Sequence, residues 1–262
     1  MFSNQKQIWF QMKNGIVGHK KLFLLVIGWS LLCVYQGGLD TMYVAQAYGI
    51  SISTADILIE LQDGQDCGLK IFPLIVFLVM KCKVNNLYTQ FVVRYEKRDR
   101  IIHSQILESL GYATLISLFV VSTETMIAYG KKLPFINWDA LDNQFFIMTG
   151  EYASESFLKI FILVLLFYII KFMLVFAVLD LLLWYPKYLF LLWILLILLA
   201  AMELPSVSTR GIIGVHSLFS VQYGLWETMW KQGILLIIGA LIVMLIYQIG
   251  FILIRKTDIY KS

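Results

Sequence analysis

"FLKIFILVLLFYIIKFMLVFAVLDLLLW", residues 157–184, contains no glycine or proline, and only Lys159, Lys171 and Asp180 in it carry charge. A helix of about 20 apolar residues crosses the roughly 30 Å of hydrocarbon in a bilayer, so this stretch reads as a transmembrane helix. Its two internal charges then need an account, because an ionisable group at that depth costs a few kcal/mol unless it faces other helices or water. Lys171 and Asp180 are nine residues apart, about 900° of rotation at ~100° per residue, which puts them on opposite helix faces. They cannot pair with each other. Glu124 and Glu108 are the candidate partners for Lys171. Asp180, about one turn from the end of the run, is within reach of the interface or Lys187. Lys171, Asp180 and Glu124 are therefore candidates for lining a translocation path, against the plainer reading of a snorkelling or structurally paired lysine.

The rest of the chain agrees with a bilayer as its solvent. Of 262 residues, 60% are hydrophobic and 15% charged, too apolar for a soluble chain of this length to bury without large exposed patches. The net charge of +4 does not point to nucleic acid, because the basic residues fall in short clusters between apolar runs. Cys33, Cys67 and Cys82 have neither metal nor redox spacing, and an odd count argues against a disulfide framework. Lys6, Lys13, His19 and Lys20 interrupt the first residues, which do not read as a signal peptide.

Six apolar runs stand out, of which the third, fourth and sixth reach the spanning length, the fifth is a little short and the first suffices if 17–37 is helix. The fold expected is all-α and polytopic, one transmembrane domain over 1–262 with spans at about 22–37, 66–82, 105–129, 157–184, 188–204 and 233–254. The second is the shortest in strictly apolar residues and contains Pro73, so a buried or re-entrant segment is its alternative. Charge favours a crossing. If it spans, Lys6, Lys13, Lys20, Lys21, Lys81, Lys83, Arg94, Lys97, Arg98, Arg100, Lys187, Arg255, Lys256 and Lys261 share one side: fourteen of the 21 Lys and Arg residues. The opposite loops hold four, Lys131, Lys132, Arg210 and Lys231. The positive-inside rule then places both termini in the cytoplasm. The first outer loop is acidic, and Ser53-Thr54-Ala55-Asp56 followed by "ILIEL" predicts a short helix within it. Trp226 and Trp230 suit interfacial anchors or helix packing equally. Residues 1–21 read as an amphipathic interfacial segment, with Ile8, Trp9, Met12 and Ile16 on one face.

Between the second and third runs lies "VVRYEKRDRIIHSQILESL", residues 92–110, with seven charged residues in its first seventeen positions. Val84, Leu87, Tyr88, Phe91 and Tyr95 recur at three- and four-residue steps ahead of it, the mark of an amphipathic helix. A turn of a few residues would satisfy topology, as Tyr185-Pro186-Lys187 does elsewhere. A solvated basic loop accounts for the charge here but not for the apolar stripe.

Six runs, an amphipathic N-terminal segment, an acidic first outer loop and a charged hairpin of the form "RYEKRDRIIHSQI" together resemble the ABC-2 type permeases, membrane subunits of bacterial ATP-binding-cassette exporters. The likeness covers the whole length in architecture, but in residues rests mainly on Arg94, Tyr95, Arg98, Arg100, Gln105 and Ile106. It implies a coupling hairpin docking into a separate cytoplasmic ATP-binding subunit, with Arg94, Tyr95, Glu96, Arg98, Asp99, Arg100 and His103 as contacts. It implies also a second permease subunit, a plasma-membrane location and no enzymatic activity of the chain's own. A mixed-charge tip offers charge-assisted contacts to such a partner.

No GxxxxGK[ST] loop is present, so P-loop binding of ATP is not expected; GxSxG and HExxH are also missing. No cofactor or metal is expected, and the isolated His103 and His216 read as ordinary polar contacts. The function expected is export of a substrate such as an amphipathic peptide. An intramembrane enzyme with dispersed active-site residues and a non-catalytic immunity or scaffold protein are the alternatives.

Overall fold

The structure, a computed structural model, describes residues 12–62, 64–86, 98–185, 188–201, 221 and 229–256, with only the backbone at several helix ends, including 98–101. Arg94, Tyr95 and Glu96 of the expected hairpin lie outside these residues, as do residues 1–11 of the N-terminal segment.

Helix follows directly from apolar runs without breakers, and the protein is 83% helical with no strands among the described residues. In order these are α1 (12–18), α2 (Lys20–Ala47), α3 (Thr54–Glu60), a π-helical segment (Gly64–Ile71) running into α4 (Phe72–Asn86), α5 (Arg98–Gly130), α6 (Gln144–Thr149), α7 (Phe157–Leu183), α8 (Leu189–Ala201) and α9 (Met229–Lys256).

Four helical stretches are long and apolar enough to cross a membrane: Lys20–Ala47, Ile102–Gly130, Phe157–Leu183 and Trp230–Leu253. The two remaining expected spans are shorter as α-helix. The 66–82 run becomes a continuous helix from 64 to 86 whose first part has π geometry. Pro73, the second residue of α4, cannot donate to a backbone carbonyl, and the widened turn just before it accommodates that loss. Trp29 Nε1 donates to the Lys70 carbonyl at the end of this turn, at 3.0 Å.

The first span is longer than its apolar run suggested and takes in Asp40, which the sequence reading had placed in the outer loop. It stops at Gly49, whose φ of +67° lets Ile50 N bond the Ala45 carbonyl at 2.8 Å and Gly49 N the Gln46 carbonyl at 3.1 Å. This closes the helix end in a Schellman turn, where glycine avoids the steric cost of the left-handed backbone.

α7 is the axis of the bundle. More than half of its most apolar window (56%) is buried inside the protein, against 17% for α9, so α7 packs on its neighbours while α9 faces mainly outward. Phe72 meets Phe172 edge-on at 4.4 Å between centroids, and Tyr168, Phe172 and Phe176 stack along one face of α7.

A small cap closes one end of the bundle. The predicted short helix is there: Ser53 N donates to Asp56 Oδ2 at 2.7 Å, and the Ser53 hydroxyl accepts from Asp56 N, the reciprocal bonds of a capping box. Trp138 Nε1 donates to Asp56 Oδ1 at 2.9 Å, and Ser51 N to the Asp142 carbonyl at 2.8 Å. The loop after α2 and the loop after α5 are thereby joined. The opposite end carries Lys20, Lys21, Lys81, the charged start of α5 and the end of α9; we call it the basic end.

At the basic end α1 docks on the bundle. Met12 is buried, its sulfur close against Gly111 of α5, and Gly15 sits against Cys82 of α4 and Tyr112 of α5. The predicted apolar face of this segment is real at Met12 and Ile16 and is used against other helices.

Candidate functional site

Two buried polar clusters sit on α7, nine residues apart. Toward the basic end, Lys83 of α4 and Asp180 of α7 form an ion pair with Nζ–Oδ1 at 2.5 Å, both side chains 2–3% exposed. Lys83 also donates to the Ser109 hydroxyl of α5. Ser109 Oγ donates to Asp180 Oδ2 at 2.6 Å, and the Tyr247 hydroxyl of α9 donates to the same oxygen at 2.8 Å. One carboxylate thus receives bonds from three other helices. Lys83 Nζ lies 6.0 Å from the centre of the Phe176 ring, an added attraction in a dry site. A charge pair is tolerable at this depth because each partner neutralises the other and the hydroxyls take up the remaining hydrogen-bonding capacity.

Toward the capped end, Lys171 Nζ donates to the backbone carbonyl of Gln62 at 2.7 Å and lies 5.6 Å from the Tyr168 ring centre. The Tyr168 hydroxyl donates to Glu124 Oε1 at 2.8 Å, with the Leu61 carbonyl 3.3 Å away. Gln62 Nε2 turns back to the Leu58 carbonyl at 3.1 Å, and its Oε1 accepts from Val221 N at 3.4 Å. Here the charged head bonds the turn that follows α3.

The candidate path residues therefore do not form one site. Lys171 and Glu124 share a cluster, linked through Tyr168, while Asp180 belongs to the other. Opposite faces of α7, inferred from the nine-residue spacing, agree with this separation. The proposed partners need correction. Asp180 pairs with Lys83 inside the bundle, where the sequence suggested the interface or Lys187. Glu108 is next to Ser109 in the basic-end half and belongs with that cluster by position.

Sequence reasoning missed Lys83, Ser109, Tyr247, Gln62 and Tyr168. Lys83 had been counted only as a cytoplasmic charge. The usable signal was depth: Lys83, just past the end of its run, and Asp180, about one turn inside the end of its own, are opposite charges at the basic end. Of the expected hairpin contacts, Arg98, Asp99 and Arg100 form the first turn of α5, and His103 is exposed one turn further on. No group of three or more potential metal ligands occurs among the described residues.

The chain matches no family model, no curated protein and no solved structure.

Chemically, neither cluster pairs a nucleophile with a positioned histidine. Each is a polar lock between helices. In the basic-end cluster the lock consists wholly of side chains from four separate helices, so any relative movement of those helices changes it.

Proposed function

We propose that this protein is the membrane-spanning permease subunit of an ATP-binding-cassette exporter. It would sit in the bacterial plasma membrane with both termini cytoplasmic and cross it six times, with 66–82 and 188–204 supplying the two crossings beyond the four long apolar helices. A separate cytoplasmic ATP-binding subunit would drive it, a second permease subunit would complete it, and an amphipathic compound would be its cargo.

One observation carries the reading. The helices that enter and leave the charged 87–97 segment, α4 and α5, both bond Asp180, through Lys83 and Ser109. α5 is 33 residues long, about 50 Å at 1.5 Å per residue, well beyond the ~30 Å of hydrocarbon. Its first turns, beginning at Arg98, project from the membrane as a rigid continuation of the transmembrane helix. A push on the charged segment is thus delivered to the Lys83–Asp180 lock, and through Tyr247 to α9. A loop that served topology alone needs no such linkage.

The test is co-purification with a cytoplasmic ATP-binding subunit. Replacing Arg94 and Arg98 by Glu places the wrong sign against a complementary surface, where close charge pairs can be worth a few kcal/mol. The pair of substitutions is expected to abolish co-purification while membrane abundance stays at the wild-type level, because Lys81, Lys97 and Arg100 still hold the segment inside. Undiminished co-purification would reduce the charged segment to an orientation signal. Substrate modification by the isolated chain would favour an intramembrane enzyme instead.

A further inference from the structure

Beside the basic-end cluster, α2, α4 and α5 line an open-sided cavity of about 260 Å³. Its wall is apolar, with Val26, Ile75, Val79 and Phe119 among its residues, and Ile16 of α1 closes it toward the basic end. Three polar groups interrupt this wall: the hydroxyls of Ser30 and Tyr112 and the thiol of Cys82. Ser30 is 1% and Tyr112 4% exposed; the Ser30 hydroxyl has no hydrogen-bond partner, and the Tyr112 hydroxyl faces the Cys82 thiol. The thiol beside Tyr112 is a weak partner at best.

A buried hydroxyl without a partner is costly, and native proteins seldom keep two in one place without something to satisfy them. A purely apolar cavity stays dry and takes hydrocarbon; an engineered one of about 150 Å³ holds benzene, with six carbons. Scaled by volume, about 260 Å³ holds on the order of ten carbons. Water alone would meet the hydroxyls but leave the apolar wall unsatisfied. A long lipid tail would fill the wall and leave the hydroxyls unmet.

We propose that this cavity is a binding site for a free medium-chain aliphatic amphipath, a chain of about ten carbons ending in a hydroxyl or carbonyl group that bonds Ser30 or Tyr112. The proposal does not rest on the transport reading. α1 is its lid. Gly15 packs closely on Cys82 and Tyr112: a Cβ built there would lie 3.0 Å from Cys82 Cβ and 3.2 Å from the Tyr112 hydroxyl, so a side chain would make these neighbours give by a few tenths of an ångström.

Cys82, fully buried in the wall, is a native reporter. In full-length protein carrying Cys33→Ala and Cys67→Ser, reconstituted in nanodiscs of two-chain phosphatidylcholine, 1-decanol should slow alkylation of Cys82 by N-ethylmaleimide at least tenfold. The same concentration of n-decane should slow it less. Ser30→Ala with Tyr112→Phe should bring the effect of 1-decanol down to that of n-decane. Equal protection by 1-decanol and n-decane in the parent protein would overturn the proposal, as would no protection by either. Should Cys82 resist alkylation even without ligand, retention of one 1-decanol per chain in native mass spectrometry decides, and its absence overturns the proposal equally.

Discussion

The two clusters on α7 use the same kinds of side chain in different ways. At the basic end, Asp180 is held by Lys83, Ser109 and Tyr247, all side chains on separate helices. At the capped end, Lys171 bonds a backbone carbonyl, Gln62, in a turn fixed by the interlocked cap. A lock of side chains between straight helices persists only while those helices keep their places. A lock onto backbone persists while the cap stays folded. The first is suited to switching, the second to anchoring, and it is the first that adjoins the charged segment before α5.

The comparison depends first on which side each cluster faces. Tags at Asn4, Lys97 and Ser262 are expected to be accessible only from the cytoplasm, and tags at Asp63, Asn143 and Ser220 only from outside. The expected effect is all-or-none in a labelling assay with impermeant reagent. An external signal at Lys97 would place the lock at the outer side and end the coupling argument.

Next in size is the lock itself. Asp180→Leu leaves the Lys83 ammonium buried and uncompensated, and should destabilise the protein by about 3–5 kcal/mol. Adding Lys83→Met should recover most of that loss, since a buried pair replaced by apolar groups of similar volume is often near neutral. Unfolding by denaturant titration in detergent measures both, and the double-mutant cycle isolates the coupling. Additive losses would mean that the pair is not a unit.

At the capped end the expected effect is smaller. Tyr168→Phe removes one hydroxyl from Glu124 and should cost about 1–3 kcal/mol. The same titration checks it, with hydrogen exchange expected to quicken around Leu61 and Gln62 and to stay unchanged at Ser109. Faster exchange at both would show that α7 transmits disturbance along its length, and the contrast between switch and anchor would be lost.

Much of this was legible in the sequence, but unevenly. The long helices follow from apolar length, and the capping box at Ser53–Asp56 from residue types at a fixed spacing. The opposite faces of Lys171 and Asp180 follow from helical periodicity alone. The partners did not, because Lys83 and Asp180 are 97 residues apart and only packing brings them together. Local periodicity also missed the continuation of α2 past its apolar run to Ala47: Gln36, Asp40 and Thr41 are tolerated there because helix geometry persists until Gly49 allows a turn. The π-helical stretch before Pro73 had no sequence signal beyond the proline.

The cap has a consequence for how the chain is made. Trp138 and Asp56, which meet in it, are 82 residues apart. At a synthesis rate of roughly 5–20 residues per second, the loop after α2 waits on the order of 4–16 s for its partner to emerge. During that interval the apolar residues of α3, Ile57 and Leu58 among them, lack the cover they have in the finished protein. The capping box at Ser53 and Asp56, made entirely of near neighbours, needs nothing from later in the chain, and can hold α3 in shape through the wait.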